Sequence, residues 1–200
     1  VCTVEALENY AASGELGDYW FLEGITRGDK YCLEGYLFPD TYEFYTNDTA
    51  ENVLNKMLGN FDSRVDESIR GQLDSLNGYL VQLMTADGRS EEYISSHLFS
   101  MADVITVASL IEKESASAEE SYTIASVIYN RLCSKLYPCL QIDATIQYAL
   151  DERKEVLSNA DKAIISPYNT YTNAGLPAGP IANPGINSIR AALYPAETDY

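Results

Sequence analysis

Residues 101–114 read Met-Ala-Asp-Val-Ile-Thr-Val-Ala-Ser-Leu-Ile-Glu-Lys-Glu, and the apolar spacing predicts a helix that the rest of the chain must cover. At about 100° per residue, Met101, Ile105, Ala108 and Glu112 fall in one narrow sector, with Val104, Val107 and Ile111 in a second apolar sector beside it. So apolar a helix is expected in the core. Glu112 ends the first stripe. A carboxyl in that line loses solvation, which disfavours its charged form and raises its pKa, so it holds a proton near neutral pH and serves as a general acid. Glu114 lies roughly 200° further round, beside Asp103, and reads as its solvated neighbour. On pattern alone a plainer reading has equal weight: Glu112-Lys113-Glu114 is simply a solvated helix end.

Outward from this helix the chain alternates helices and turns. Residues 3–27 carry helical periodicity broken by Gly14 and Gly17. Leu33–Phe44 is aromatic and alternating, the pattern of a strand entering a turn at Pro39-Asp40. Thr49 caps a long amphipathic helix expected to reach about Leu76, with Asn52, Asn55 and Asn60 on its polar side, and Gly78–Arg89 reads as a loop or short strand. Ser90, followed by Glu91 and Glu92, opens the helical region carrying Glu112. A second helix follows Ser117, with Glu119 and Glu120 in its first turn where they complement the helix dipole. Asp143 is expected to cap a short helix from Ala144 to Leu150. After Ser166 the character changes: Pro167, Gly175, Pro177, Gly179, Pro180, Pro184 and Gly185 punctuate a polar, aromatic loop. Gly185 or Asn187 then opens a last helix to Tyr194. There is no internal repeat and no low-complexity tract.

With 200 residues and 46% hydrophobic content, the chain can bury one substantial core. Thirty acidic against thirteen basic residues give a formal charge of -17, which repels phosphate backbones and argues against nucleic acid as a partner. Sixteen tyrosines and Trp20 supply flat amphipathic surfaces that suit carbohydrate stacking as well as core edges. Cys2, Cys32, Cys133 and Cys139 include no C-x-x-C pair, and with His97 as the single histidine no zinc site of ordinary spacing is expected. A disulfide clip between Cys133 and Cys139 and inert thiols are equally compatible with the pattern. No apolar run is long enough to span a bilayer. The abrupt start at Val1 suggests an excised piece of a longer protein.

His97 lacks the setting of a nucleophilic triad, and no Gly-rich stretch precedes a Lys-Ser/Thr pair, so carboxylate chemistry remains. A glycosidase ordinarily sets two carboxylates about the scissile bond. Glu112 is the acid; Asp143, Asp40 and Glu43 are the candidate partners, although Asp143 also reads as a helix cap and Asp40 as a turn residue.

Six ordered motifs narrow the choice. Leu33-Glu-Gly-Tyr-Leu-Phe-Pro-Asp-Thr-Tyr42, Ala108-Ser-Leu-Ile-Glu-Lys-Glu114, Val127-Ile-Tyr-Asn-Arg-Leu132, Leu140-Gln-Ile-Asp-Ala-Thr-Ile-Gln-Tyr148, Ser166-Pro-Tyr-Asn-Thr-Tyr171, and Gly175-Leu-Pro-Ala-Gly-Pro-Ile181 with Asn183-Pro-Gly185 together resemble the YceG-like family, the MltG endolytic murein transglycosylases. The resemblance covers residues 21–196. It implies an α+β catalytic domain, mostly helical, with short strands and a Pro/Gly-rich groove loop. Residues 1–30 would be the end of a LysM-like region or linker, and residues 31–200 the catalytic domain, short of its strand-forming C-terminal tail. Ala178 stands where the family often has proline.

The resemblance further implies that Glu112, the first acid of Glu-Lys-Glu, is the catalytic residue. It would cleave the β-1,4 bond between MurNAc and GlcNAc to leave a 1,6-anhydroMurNAc end. An intramolecular hydroxyl nucleophile needs no second carboxylate. Gln141, Asp143, Thr145, Tyr168, Asn169, Tyr171 and Asn183 are the implied substrate contacts, although Asn169 and Asn183 also suit bracing the loop. Peptidoglycan glycan strands are the expected partner, with wall-synthesis proteins as further ones. No metal and no cofactor is expected, and a Schiff-base lysine in a phosphate-binding setting is not evident. The implied location is a bacterial membrane, through a single-pass anchor outside this chain, with the catalytic part outside the cytoplasm. A hydrolysing muramidase and a catalytically silent glycan-binding scaffold are the alternative readings.

Overall fold

Three helices make the centre of the computed structural model, which describes residues 2–28, 31–150 and 152–198. They are α6 (Met101–Glu114), α7 (Ala118–Cys133) and α9 (Ile186–Leu193), packed against one another. Helix α6 starts at a capping box in which Ser100 and Asp103 satisfy each other's backbone N–H groups. From Val104 to Ile111 every residue is buried, including Thr106 and Ser109, whose hydroxyls donate to Ala102 O and Thr106 O of the preceding turn. On α7, Tyr129 lies fully inside and its hydroxyl donates to Ala192 O of α9 at 2.7 Å. The buried polar groups of this core are therefore paired.

The remaining helices form an outer layer. α1 (Val4–Ser13) packs on α2 (Ala50–Arg64), and the rings of Phe21, Tyr36 and Phe61 interlock with centroids 4.7 to 5.3 Å apart, joining the early residues to the common core. The domain boundary expected at residue 30 falls on residues 29–30, outside the described residues.

Several expectations are corrected. The long helix from Thr49 does start at that cap, but it ends at Arg64. Asp66 caps a short α3 (Glu67–Arg70), and α4 (Leu73–Ala86) follows. Residues 78–86, expected as loop or strand, continue α4, because Leu76, Leu80 and Met84 recur every four residues and are buried. The helical region from Ser90 is interrupted after α5 (Glu91–Ser96), where the new cap at Ser100 resets the chain.

The protein is mostly helical, and the short strands are not formed among the described residues; their β pairing is one isolated parallel bridge, Cys139 with Gly175. Residues 33–44 turn instead. Gly35 has φ 95°, and a Cβ there would stand 2.6 Å from Pro180 Cγ, so this close approach requires glycine. The N–H groups a strand would pair are taken by a side chain, as described below. The four cysteines are free thiols, so the 133–139 clip is not made; burial pushes the Cys133 thiol up to about 11. No helix among the described residues is long and apolar enough to cross a membrane.

Candidate active site

Glu112 is exposed. The stripe that predicted a buried carboxyl ends at Ile111, and residues 112–114 lie at the surface. What holds the carboxylate is the start of α9. Gly185 N–H donates to Glu112 Oε2 at 3.1 Å and Ser188 Oγ donates to the same atom at 2.6 Å. Helix α9 follows Gly185 with no side-chain cap of its own, and the Glu112 carboxylate, bound to the N–H of that cap residue and to the Ser188 hydroxyl in the first turn, stands beside the positive end of the dipole. Ser188 is 4% exposed, which fixes its hydroxyl. Oε1 has no donor among the described residues. The carboxylate opens on a polar groove of about 270 Å³, lined by Glu112 itself, Ser115 to Ala118, Ser121, and Gly185 to Ser188.

Separate from the residues that line this groove is a charged cluster at the start of α8 (Asp143–Ala149). Asp143 makes no cap; it is the first helical residue, and its side chain turns to its neighbours instead. Lys162 Nζ pairs with Asp143 Oδ1 at 2.9 Å and donates to Tyr171 OH at 2.9 Å, while Tyr171 OH donates to the Asp143 carboxylate. The Tyr171 bond, then Lys162, holds Asp143 below the usual carboxylate range. The same hydroxyl and then Asp143 push Lys162 up. Glu114 is exposed, as expected of a solvated neighbour, and it borders this cluster: desolvation of its carboxyl and then Asp143 push it up, against the Ala144 N–H that it accepts. The other two candidate partner acids stay apart. Asp40 is bound by Thr41 N–H, Asn60 and Arg64 and is lowered chiefly by the first, and Glu43 is exposed.

The other implied contacts divide by exposure. Gln141 is exposed with φ 58°, a left-handed conformation costing roughly 1 kcal/mol for a residue with a Cβ. It is held there because Thr170 clamps both sides: Gln141 N–H donates to Thr170 O at 2.9 Å and Ile142 N–H to Thr170 Oγ1 at 3.0 Å. Thr145 is fully buried and shares the Thr170 hydroxyl at 2.8 Å. Asn169, also fully buried, donates to Lys162 O and Ile164 O and accepts from Tyr171 and Thr172 N–H, so its amide is spent on backbone. Tyr168 is half-buried, its ring 4.8 Å from that of Tyr148. Asn183 Oδ1 accepts from Gly35 N–H at 2.8 Å and Leu37 N–H at 3.0 Å, and its Nδ2 donates to Glu34.

Sequence reasoning passed over Ser188, Lys162 and Glu34. For Ser188 a signal existed: a helix opened by glycine lacks a cap, which invites a carboxylate from elsewhere. Glu34 lies within a quoted motif, yet its burial, which pushes its carboxyl up against the pull of Lys113, is a tertiary property. Among the described residues no three His, Cys, Asp or Glu side chains gather as a metal site.

Residues 4–200 match the YceG-like family. A protein of Bacillus subtilis strain 168 named endolytic murein transglycosylase is 39% identical over 171 residues, which cover 86% of this chain and 41% of that protein. A Streptococcus pneumoniae D39 protein of the same name is 33% identical over 177 residues, covering 86% of this chain and 28% of its own length. A 2.6 Å crystal structure of a yceG-like protein from Listeria monocytogenes superposes with a TM-score of 0.66 at 37% identity, covering 84% of this chain and 48% of that one. The matched region is thus less than half the length of each of these relatives.

Proposed function

The chain belongs to the YceG-like family, and from that membership and the setting of Glu112 we propose that it carries the catalytic part of an endolytic peptidoglycan lytic transglycosylase. The observation that supports this most is the asymmetric hold on the carboxyl: Oε2 accepts from Gly185 N–H and Ser188 Oγ, while Oε1 is free to face a substrate. In the protonated acid, Oε2 is then the carbonyl oxygen and Oε1 carries the proton. Oε1–H protonates the glycosidic oxygen between MurNAc and GlcNAc as the bond from that oxygen to MurNAc C1 breaks. The MurNAc C6 hydroxyl oxygen closes on C1, and its proton passes to Oε1, restoring the acid and leaving a 1,6-anhydro end. In the interval the charge on Glu112 is met by an N–H, a hydroxyl and the start of α9, donors already in place.

Peptidoglycan glycan strands are the substrate in this reading, entering along the serine-lined groove. Gln141, Asp143, Tyr168 and Tyr171 keep exposed or half-exposed polar and aromatic surface for sugar contact. The domain acts outside the cytoplasm, tethered by a membrane anchor outside this chain and working beside wall-synthesis proteins, with residues 1–30 as the end of a preceding LysM-like region.

The test is mass spectrometry of peptidoglycan strands digested by the full-length protein. Anhydro ends within cleaved strands are expected. Reducing ends would instead assign a hydrolysing muramidase, and strand binding without cleavage would assign a silent scaffold.

A further inference from the structure

We propose that Glu34 is a positioning residue for Glu112, acting through Asn183; the inference rests on the reading of Glu112 as the acid. The connection runs through three short links. Asn183 Nδ2 donates to Glu34 Oε1 at 3.0 Å, Asn183 Oδ1 accepts from Gly35 and Leu37 N–H at 2.8 and 3.0 Å, and Gly185 N–H, two residues on, donates to Glu112 Oε2 at 3.1 Å. Between them Pro184 is buried and its ring fixes φ, so a displacement of Asn183 is carried to Gly185 rather than absorbed.

The chemistry explains why an acceptor is needed at position 34. An amide side chain has two ends of similar shape, and only their partners decide which end faces which. The two backbone N–H groups call for oxygen on one side. Glu34, which can only accept when ionised, calls for nitrogen on the other. Both ends of Asn183 are therefore specified, and the 183–185 turn is pinned to the 33–37 turn. The glycine at 35 lets the turns meet, since a Cβ there would collide with Pro180.

The experiment uses the full-length protein with Glu34→Met, which keeps the volume and removes the acceptor, and Glu34→Gln, whose amide oxygen accepts the same N–H. Glu34→Met is expected to lower kcat for anhydro-product release by about tenfold with KM within about twofold, the signature of a misplaced acid rather than a lost substrate contact. Glu34→Gln is expected to recover most of that loss. Deuterium exchange at the Gly185 amide is expected to rise about tenfold in Glu34→Met and not in Glu34→Gln. This readout needs no turnover, so it tests the link even if the wild type releases no anhydro product, which would be a failure of the functional reading alone. Unchanged Gly185 exchange in Glu34→Met, a loss confined to KM, or equal impairment of both variants would overturn the proposal.

Discussion

Helix α6 and the segment 166–185 are in direct contact, and the means by which each is held differ. From Thr106 to Ile111 the helix is at most 5% exposed, its backbone bonds internal and its side chains mostly hydrocarbon. The loop has no repeating backbone pattern. Its order comes from side chains that bind backbone: Asn169 with four such bonds, Asn183 with two, Thr170 across to Ile142. The two regions meet where Ile181 N–H donates to the buried Ser109 hydroxyl at 3.0 Å. A helix placed by burial resists change through volume, whereas a loop placed by amides resists it through a few atoms. Glu112 stands where the first kind of order ends and the second begins.

The largest effect should come at that junction. Glu112→Gln keeps an oxygen to accept from Gly185 and Ser188 but has no transferable proton, so anhydro-product release is expected to fall by about 10³-fold or more with the melting temperature nearly unchanged; near-normal turnover would sink the assignment. Within the helix, Ile105→Ala removes fully buried volume and is expected to cost about 2 to 5 kcal/mol in denaturant unfolding. Within the loop, Asn169→Ala orphans buried backbone groups and is expected to cost about 3 kcal/mol, with less hydrocarbon lost. Should Asn169→Ala prove harmless while Ile105→Ala is severe, the loop is held by burial after all. Ser188→Ala is smaller: kcat down by about tenfold and stability within about 1 kcal/mol, separating orientation of the acid from support of α9.

A pH measurement sharpens the same contrast. Asp161, buried beside the loop, is lowered to about 2, chiefly by its bond to Lys154 and then by Ser158. A carboxyl lowered on folding contributes stability that is present above its unfolded value near 4 and lost as pH falls from there towards 2. Asp161→Asn is therefore expected to flatten the acid limb of the stability curve between about pH 4 and pH 2. An unchanged slope would show that the Lys154 bond does not persist in solution.

Much of the helical frame was legible. Ser90, Thr49 and Ser117 act as the caps their side chains suggest, because capping is local chemistry with a short reach. Less so were the breaks. The pattern from Thr49 to Leu76 continues through Val65, but the chain bends there, where Asp66 caps a new helix and α4 docks on α7. The strand expected at 33–44 failed for a related reason: alternation records which residues want burial and not which group will take their N–H bonds, and Asn183 lies 148 residues from the Gly35 it binds. At the site, Glu112 was found in the sequence for a cause the structure reverses, since it is exposed and held by α9 rather than buried.

The order of motifs along the chain was enough to show a resemblance to one family, and the apolar period was enough to specify the helix that bears Glu112, because apolar period and capping chemistry act over a few residues and survive in any context. Which oxygen of that carboxyl is anchored, that Ser188 and Gly185 anchor it, and that Glu34 lies behind them were decided by tertiary structure alone. Each of those contacts joins residues more than seventy positions apart, and nothing local in the chain encodes a distance of that kind until the core has brought α6, α9 and the two turns together.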